Sequence, residues 1–264
     1  MVSSTPSEAS IDIPGLGSAK WRPHIADGLG EVYSQGAGGR EESVYTSIVV
    51  SSRIVTFDGA SLEIAHRLEN EAPRKKVQLA CSKRKEGEYL VIAFGDSLTA
   101  GADSSYPEEL QRQSIRNGVR VVNAGVPGDT TEKLLARADS ILACNPNAVL
   151  LAVGANDIFQ GIHQGDFETA LKLLILKLRL GGTNVILLGL EVEEKFPYAG
   201  SYVRVATTMR VPLIPNMLRG VYKIPAMLLE DGMHPNRKGN VLIASQVAQF
   251  LALCLDSSLI LCSD

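Results

Sequence analysis

No stretch of this 264-residue chain stays apolar for the ~20 residues that a bilayer-spanning helix needs. The nearest, VLIASQVAQFLALCL from Val241, is interrupted by Ser245, Gln246 and Gln249 and reads as a buried helix. The opening segment, MVSSTPSEASIDIPGLGSAK, has neither the basic start nor the apolar core of a secretory signal, and Glu8 and Asp12 speak against a transit peptide. A net charge of −3 without marked asymmetry gives no footing for nucleic acid or for an anionic membrane surface. The four cysteines, Cys81, Cys144, Cys254 and Cys262, form no CxxC pair and fall in or beside apolar runs. They read as buried thiols, so neither a metal site nor a disulfide framework is expected, and the default location is cytoplasmic. Also missing are GxxxxGK[ST], GxGxxG after a strand, and the GxSxG elbow, which removes three common nucleotide-binding and hydrolase signatures.

Apolar residues make up 45% of the chain and charged residues 21%, the composition of a globular protein with a sizeable core. The first forty residues carry seven glycines and no apolar period, and are expected to be irregular. In SVYTSIVVSSRIVTFDGASLEIAHRL, β-branched residues predict one or two strands closed by a turn at Asp58 and Gly59, with a short helix from Ser61. Two charged stretches, EAPRKK and SKRKEGE, read as a solvated linker. From Tyr89 the pattern becomes regular: YLVIAF, VRVVNAGV, AVLLAV, NVILLGL and the short VPLIP read as strands. Helical segments lie between them: one with Pro107 in its first turn, one over TTEKLLARADSILACN, and one capped by Asp166. A further helix, RKGNVLIASQVAQFLALCL, follows the last strand. Unalternating strands separated by helices predict a parallel sheet covered on both faces. The expected division is an N-terminal extension over residues 1–87 and an α/β domain over residues 88–264.

Open parallel sheets bind ligands beyond the carboxyl ends of their strands. There this chain places FGDS, NAGVPGDTT and GAND, with LEDGMHPN before the last helix. One such polar turn would mean little, but four in this order can support acyl transfer. Ser97 supplies a hydroxyl, His234 a base, and Asp231, three residues earlier, a carboxylate to fix the tautomer of that base. The backbone N–H groups of Ser97 and Gly128 and the amide of Asn156 are candidate donors for a tetrahedral oxyanion. Glycine at 128 would also keep a Cβ out of the substrate's way. Asp96, Asn123, Asp129 and Asp157 read as loop-fixing or capping residues, and His24, His66 and His163 as structural.

FGDSLTAG, NAGVPGDTT, GAND and DGMHPN resemble the four blocks of the GDSL, or SGNH, hydrolases, nearest to the bacterial thioesterase I, arylesterase and lysophospholipase branch. The four letters map onto Ser97, Gly128, Asn156 and His234, and the family's triad acid onto Asp231. The resemblance runs from about Glu88 to about Leu255. It implies a flavodoxin-like three-layer α/β/α sandwich and hydrolysis of carboxylic esters or thioesters, with no cofactor or metal. The expected partner is a small-molecule acyl ester or thioester, an acyl-CoA or a lysophospholipid. Where relatives carry a longer helical stretch before the last strand, only SYVRVATTM stands here, which predicts a shortened wall of the acyl pocket. Carbohydrate O-acetyl ester hydrolysis would use the same residues. A flavodoxin-like phosphate or nucleotide binder would explain the glycine loops but not the pairing of Asp231 with His234.

Overall fold

The computed structural model describes residues 87–114, 118–190, 198 and 200–252, together with the backbone alone of residues 253–255 and of five N-terminal strands. The chain divides into two compact units, Met1–Ala72 and Pro73–Asp264.

In the first unit the strands β1 (Ala9–Ile13), β2 (Gly17–Pro23), β3 (Leu29–Gln35), β4 (Glu41–Val50) and β5 (Arg53–Phe57) form one antiparallel sheet in sequence order. This corrects the expectation of an irregular N-terminus. Five of its seven glycines, Gly15, Gly28, Gly36, Gly38 and Gly39, fall between strands, so they punctuate a meander. The one or two strands expected over SVYTSIVVSSRIVTF are β4 and β5, while the turn expected at Asp58 and Gly59 lies outside the described residues. The helix expected from Ser61, the stretch EAPRKK and residues 82–86 of SKRKEGE lie outside the described residues, as do His24 and His66, while Glu88 pairs with Arg120 at 3.0 Å.

The second unit holds the parallel strands β6 (Tyr89–Gly95), β7 (Val119–Gly125), β8 (Ala148–Ala152), β9 (Asn184–Leu188) and β10 (Leu213–Ile214). Their order across the sheet is β10-β9-β8-β6-β7, which is the flavodoxin-like arrangement. The central strands are apolar throughout because both faces are covered: Leu90 through Phe94 and Val149 through Leu151 are fully buried. Each buried valine, leucine, isoleucine or phenylalanine among them contributes about 1.5–3 kcal/mol. The helices are α1 (Ser97–Ala100), α2 (Tyr106–Ser114), α3 (Thr131–Leu142), α4 (Ala155–Phe159), α5 (Gln164–Leu180), α6 (Ser201–Met209) and α7 (Arg237–Leu255), with a 3-10 turn at Pro225–Met227. Helix α2 packs against α7, while α3 packs on α5 and α5 on α6. The segment SYVRVATTM is α6, seated by the buried Tyr202, whose hydroxyl donates to the Val153 carbonyl at 2.7 Å.

Two local readings change. Helix α5 starts at Gln164 and is capped by His163, whose Nδ1 accepts the Gly165 N–H at 3.1 Å, so Asp166 lies inside its first turn. Cys144, expected as a buried thiol, is half of a disulfide whose partner's side chain is not among those described. It sits half-buried in the turn after α3 and not in the core. Cys144 therefore lends no support to a reducing compartment. Among the described residues no helix is long and apolar enough to cross a membrane.

Candidate active site

Strand β6 lies between β7 and β8, where the strand order reverses, and this is the switch point at which open α/β sheets bind ligands. The turn leaving β6 is held tightly. A Cβ on Gly95 would stand 2.2 Å from Thr99 Oγ1 and 2.4 Å from the Ala152 carbonyl, and one on Gly125 would stand 2.1 Å from the Ala100 nitrogen. Only glycine at both positions lets the single-turn helix α1 sit directly on the ends of β6, β7 and β8.

Asp96 caps α1: it is buried, and Oδ1 accepts the Leu98 N–H at 2.9 Å. First-turn N–H groups have no intrahelical acceptor, so with Leu98 served by Asp96, the Ser97 N–H is left beside its own hydroxyl. Burial pushes Asp96 up to about 6, the Leu98 N–H opposes this, and the nearby Asp157 adds to the rise.

The Ser97 hydroxyl lies 3.0 Å from Nε2 of His234, and Nδ1 of His234 lies 2.7 Å from Oδ2 of Asp231. The other carboxylate oxygen, Oδ1, accepts the N–H groups of Met233 and His234, both at 2.9 Å. Those two N–H groups, followed by the imidazole, hold Asp231 down at about 2. An ionised carboxylate can only accept, so Nδ1 carries the proton and Nε2 presents a lone pair to the serine O–H. The loop itself is fixed: the Leu229 N–H donates to the His234 carbonyl at 2.8 Å. The buried Asn240 amide donates to the carbonyls of Pro235 and Ser104 at 3.1 and 3.0 Å, which ties the histidine loop to the segment after α1.

Gly128 has φ +81°, the left-handed region that favours glycine, yet a Cβ built on it meets nothing within 4 Å. Backbone conformation favours glycine there, and the space that a Cβ would enter is open. The Asn156 Nδ2 donates to the Asp129 carbonyl at 2.9 Å and lies 3.4 Å from Asp96 Oδ2. The polar turn after β8 is thus tied to the turn that carries Gly128.

The residues singled out in the sequence therefore converge. Ser97, His234 and Asp231 form one hydrogen-bonded chain, with Asn156 and Gly128 in segments joined to it through Asp96 and Asp129. Asn123 fixes the loop as expected, its Nδ2 donating to the Ala100 carbonyl and its Oδ1 accepting the Gly125 N–H. Asp157 caps a helix other than its own, with both oxygens accepting the Thr131 N–H of α3 at 3.1 Å. Sequence reasoning missed Arg137, which stands three residues after Leu134 and four before Ile141 on the buried face of α3. A charged residue on that apolar stripe was the available signal. Chemically, a hydroxyl hydrogen-bonded to an imidazole that is itself oriented by a carboxylate can be deprotonated as it attacks an acyl carbon.

Comparison with known proteins agrees. The model of the GDSL-like lipase/acylhydrolase family matches residues 93–242. An arylesterase of Vibrio mimicus is 31% identical over 183 residues, which cover 64% of this chain and 92% of the relative. The thioesterase 1/protease 1/lysophospholipase L1 of Escherichia coli strain K12 is 28% identical over 172 residues, 61% of this chain and 82% of that protein. A crystal structure of TesA superposes with a TM-score of 0.57 at 30% identity, covering 62% of this chain and 98% of that one.

Proposed function

Because the chain belongs to the GDSL-like lipase/acylhydrolase family, we propose that it hydrolyses carboxylic esters or thioesters through an acyl-enzyme on Ser97. The observation that carries this reading is the unbroken chain from Ser97 Oγ through His234 to Asp231, at 3.0 and 2.7 Å.

In the first half-reaction Nε2 of His234 takes the Ser97 proton as Oγ bonds to the acyl carbon. The resulting tetrahedral oxyanion is met by the N–H groups of Ser97 and Gly128 and by the Asn156 amide, which exchanges its long 3.4 Å contact with Asp96 Oδ2 for the oxyanion. Collapse breaks the bond to the alkoxide or thiolate leaving group, which receives the proton from Nε2. Water then repeats the sequence: Nε2 takes its proton, its oxygen adds to the acyl carbon, and Ser97 leaves with that proton, releasing the acid. Asp231 stays ionised throughout and stabilises the imidazolium.

Short- to medium-chain acyl esters, acyl-CoA and lysophospholipids are the substrate classes this reading favours; the relatives' names support it only as far as thioesterase, lysophospholipase and arylesterase. The test is steady-state hydrolysis of p-nitrophenyl butyrate by wild type and Ser97→Ala. Loss of at least about 10³-fold in kcat is expected, and undiminished turnover in the variant would remove the assignment.

A further inference from the structure

Building on this reading of Ser97, Gly128 and Asn156, we propose that Arg137 is a positioning residue of the same reaction: one guanidinium fixes the segments that carry Ser97 and Gly128 and, through Asp129, the Asn156 amide. Its Nε lies 2.7 Å from Asp129 Oδ2, and its Nη2 donates to the carbonyls of Gly95 and Ala124 at 3.1 and 2.9 Å. The Cζ atom stands 4.4 Å from the centre of the Phe94 ring, and the side chain is only 14% exposed.

Each anchor touches a different part of the oxyanion site. Gly95 is the last residue of β6, two before Ser97. Ala124 is the penultimate residue of β7, just before the turn that carries Gly128. Asp129 follows Gly128, and its carbonyl receives the Asn156 amide at 2.9 Å. Arg137 touches neither the reacting serine nor its histidine, so its effect must pass through these segments. The sheet does not need it for register: β6 and β7 pair along their whole length, and the Val126 N–H reaches the Gly95 carbonyl directly at 3.0 Å. The guanidinium adds a planar fork that serves a carboxylate and two carbonyls at once. The single ammonium of lysine cannot reproduce this. Taken as a unit, a buried ion pair is also a poor source of net stability, since replacing both partners by apolar residues of similar volume is often neutral, although removing one partner alone is costly. Stability is therefore a weak reason for an arginine here, and donor geometry a strong one.

The experiment compares full-length wild type, R137K, R137M and S97A on p-nitrophenyl butyrate, and measures inhibition by butylboronic acid, which forms a tetrahedral anion on an active serine. Far-UV circular dichroism identifies the folded variants. R137K is expected to lose about 10-fold in kcat and R137M about 10²-fold, with KM within about threefold, because donor alignment matters in the transition state and not in ground-state binding. Boronic-acid affinity should fall by the same factor as kcat/KM, whereas a merely structural role would leave the folded fraction with wild-type boronate affinity. The inference is overturned by a folded variant whose kcat stays within threefold of wild type, by a change confined to KM, or by failure of both variants to fold. Activity in S97A would instead bring down the functional reading itself, and this inference with it. An inactive S97A beside fully active Arg137 variants would bring down this inference alone.

Discussion

Asp157 lies in the first turn of α4, yet both its carboxylate oxygens accept the backbone N–H of Thr131, the first residue of α3, at 3.1 Å each. One buried side chain thereby joins the segment after β8 to the segment after β7, next to Asn156 on one side and close to Gly128 on the other. Burial pushes this carboxyl up from 3.8 to about 6, against the pull of the Thr131 N–H.

The resulting pH dependence has a definite sign. A group raised in the folded state contributes stability that is fully present below its unfolded value and is lost as pH rises through the folded value. The contribution of Asp157 is therefore present below about 3.8 and lost by about 6, an amount of at most roughly 3 kcal/mol. Asp157→Asn can still accept from Thr131 but carries no charge to bury. Its melting temperature relative to wild type is expected to rise between about pH 4 and pH 7 and then level off. Thermal melts across that range check this, and a flat or falling difference would contradict it.

At Asn156 the two substitutions should be ordered. Asn156→Ala removes a donor and is expected to lower kcat by about 10²–10³-fold. Asn156→Asp removes the same donor and places a second carboxylate beside Asp96 Oδ2, now 3.4 Å from Nδ2. It should turn over more slowly than the alanine variant at pH 8. Single-substrate kcat values for the pair decide the order.

Gly128→Ala separates conformation from contact. A Cβ there meets nothing, but φ is +81°, which costs a side chain about 1–2 kcal/mol. The expected result is a melting temperature lower by about 2–8 °C. The backbone N–H survives, so kcat should fall by less than the ~10²-fold cost of losing a donor.

Asp231→Asn keeps the shape of the loop acceptor but no longer holds Nδ1–H of His234. By the logic of serine triads kcat should fall by about 10³–10⁴-fold. The wild-type carboxylate is held at about 2 by the His234 and Met233 N–H groups. No loss of wild-type activity above about pH 4 is therefore attributable to its protonation. Paired pH profiles of the two proteins test both statements.

The parallel domain was legible because strands such as YLVIAF and AVLLAV, buried on both faces, leave an unalternating apolar signature, and polar turns stand at their carboxyl ends. Ser97, Asp231 and His234 could be picked out because their chemistry is carried by residue type and short spacing. For Arg137 the sequence offers only a charge on the apolar stripe of α3, and its role is hidden because its partners Gly95, Ala124 and Asp129 are backbone carbonyls and one turn carboxylate that only the folded sheet brings together. The cap from Asp157 to Thr131 spans 26 residues and leaves no local pattern. Strands β1 to β3 were missed because the glycines of the first forty residues were read as marks of an irregular chain, whereas most of them fall between short strands.

The most direct test of the central claim is the site of covalent capture. The full-length protein is treated with a fluorophosphonate at pH 8 and digested, and the peptides are sequenced by mass spectrometry. One stoichiometric adduct is predicted, on the peptide bearing FGDSLTAG and localised to Ser97, and none in the Ser97→Ala variant. An unlabelled Ser97 in an enzyme that still hydrolyses p-nitrophenyl butyrate, or an adduct on another residue that tracks the loss of activity, would contradict it.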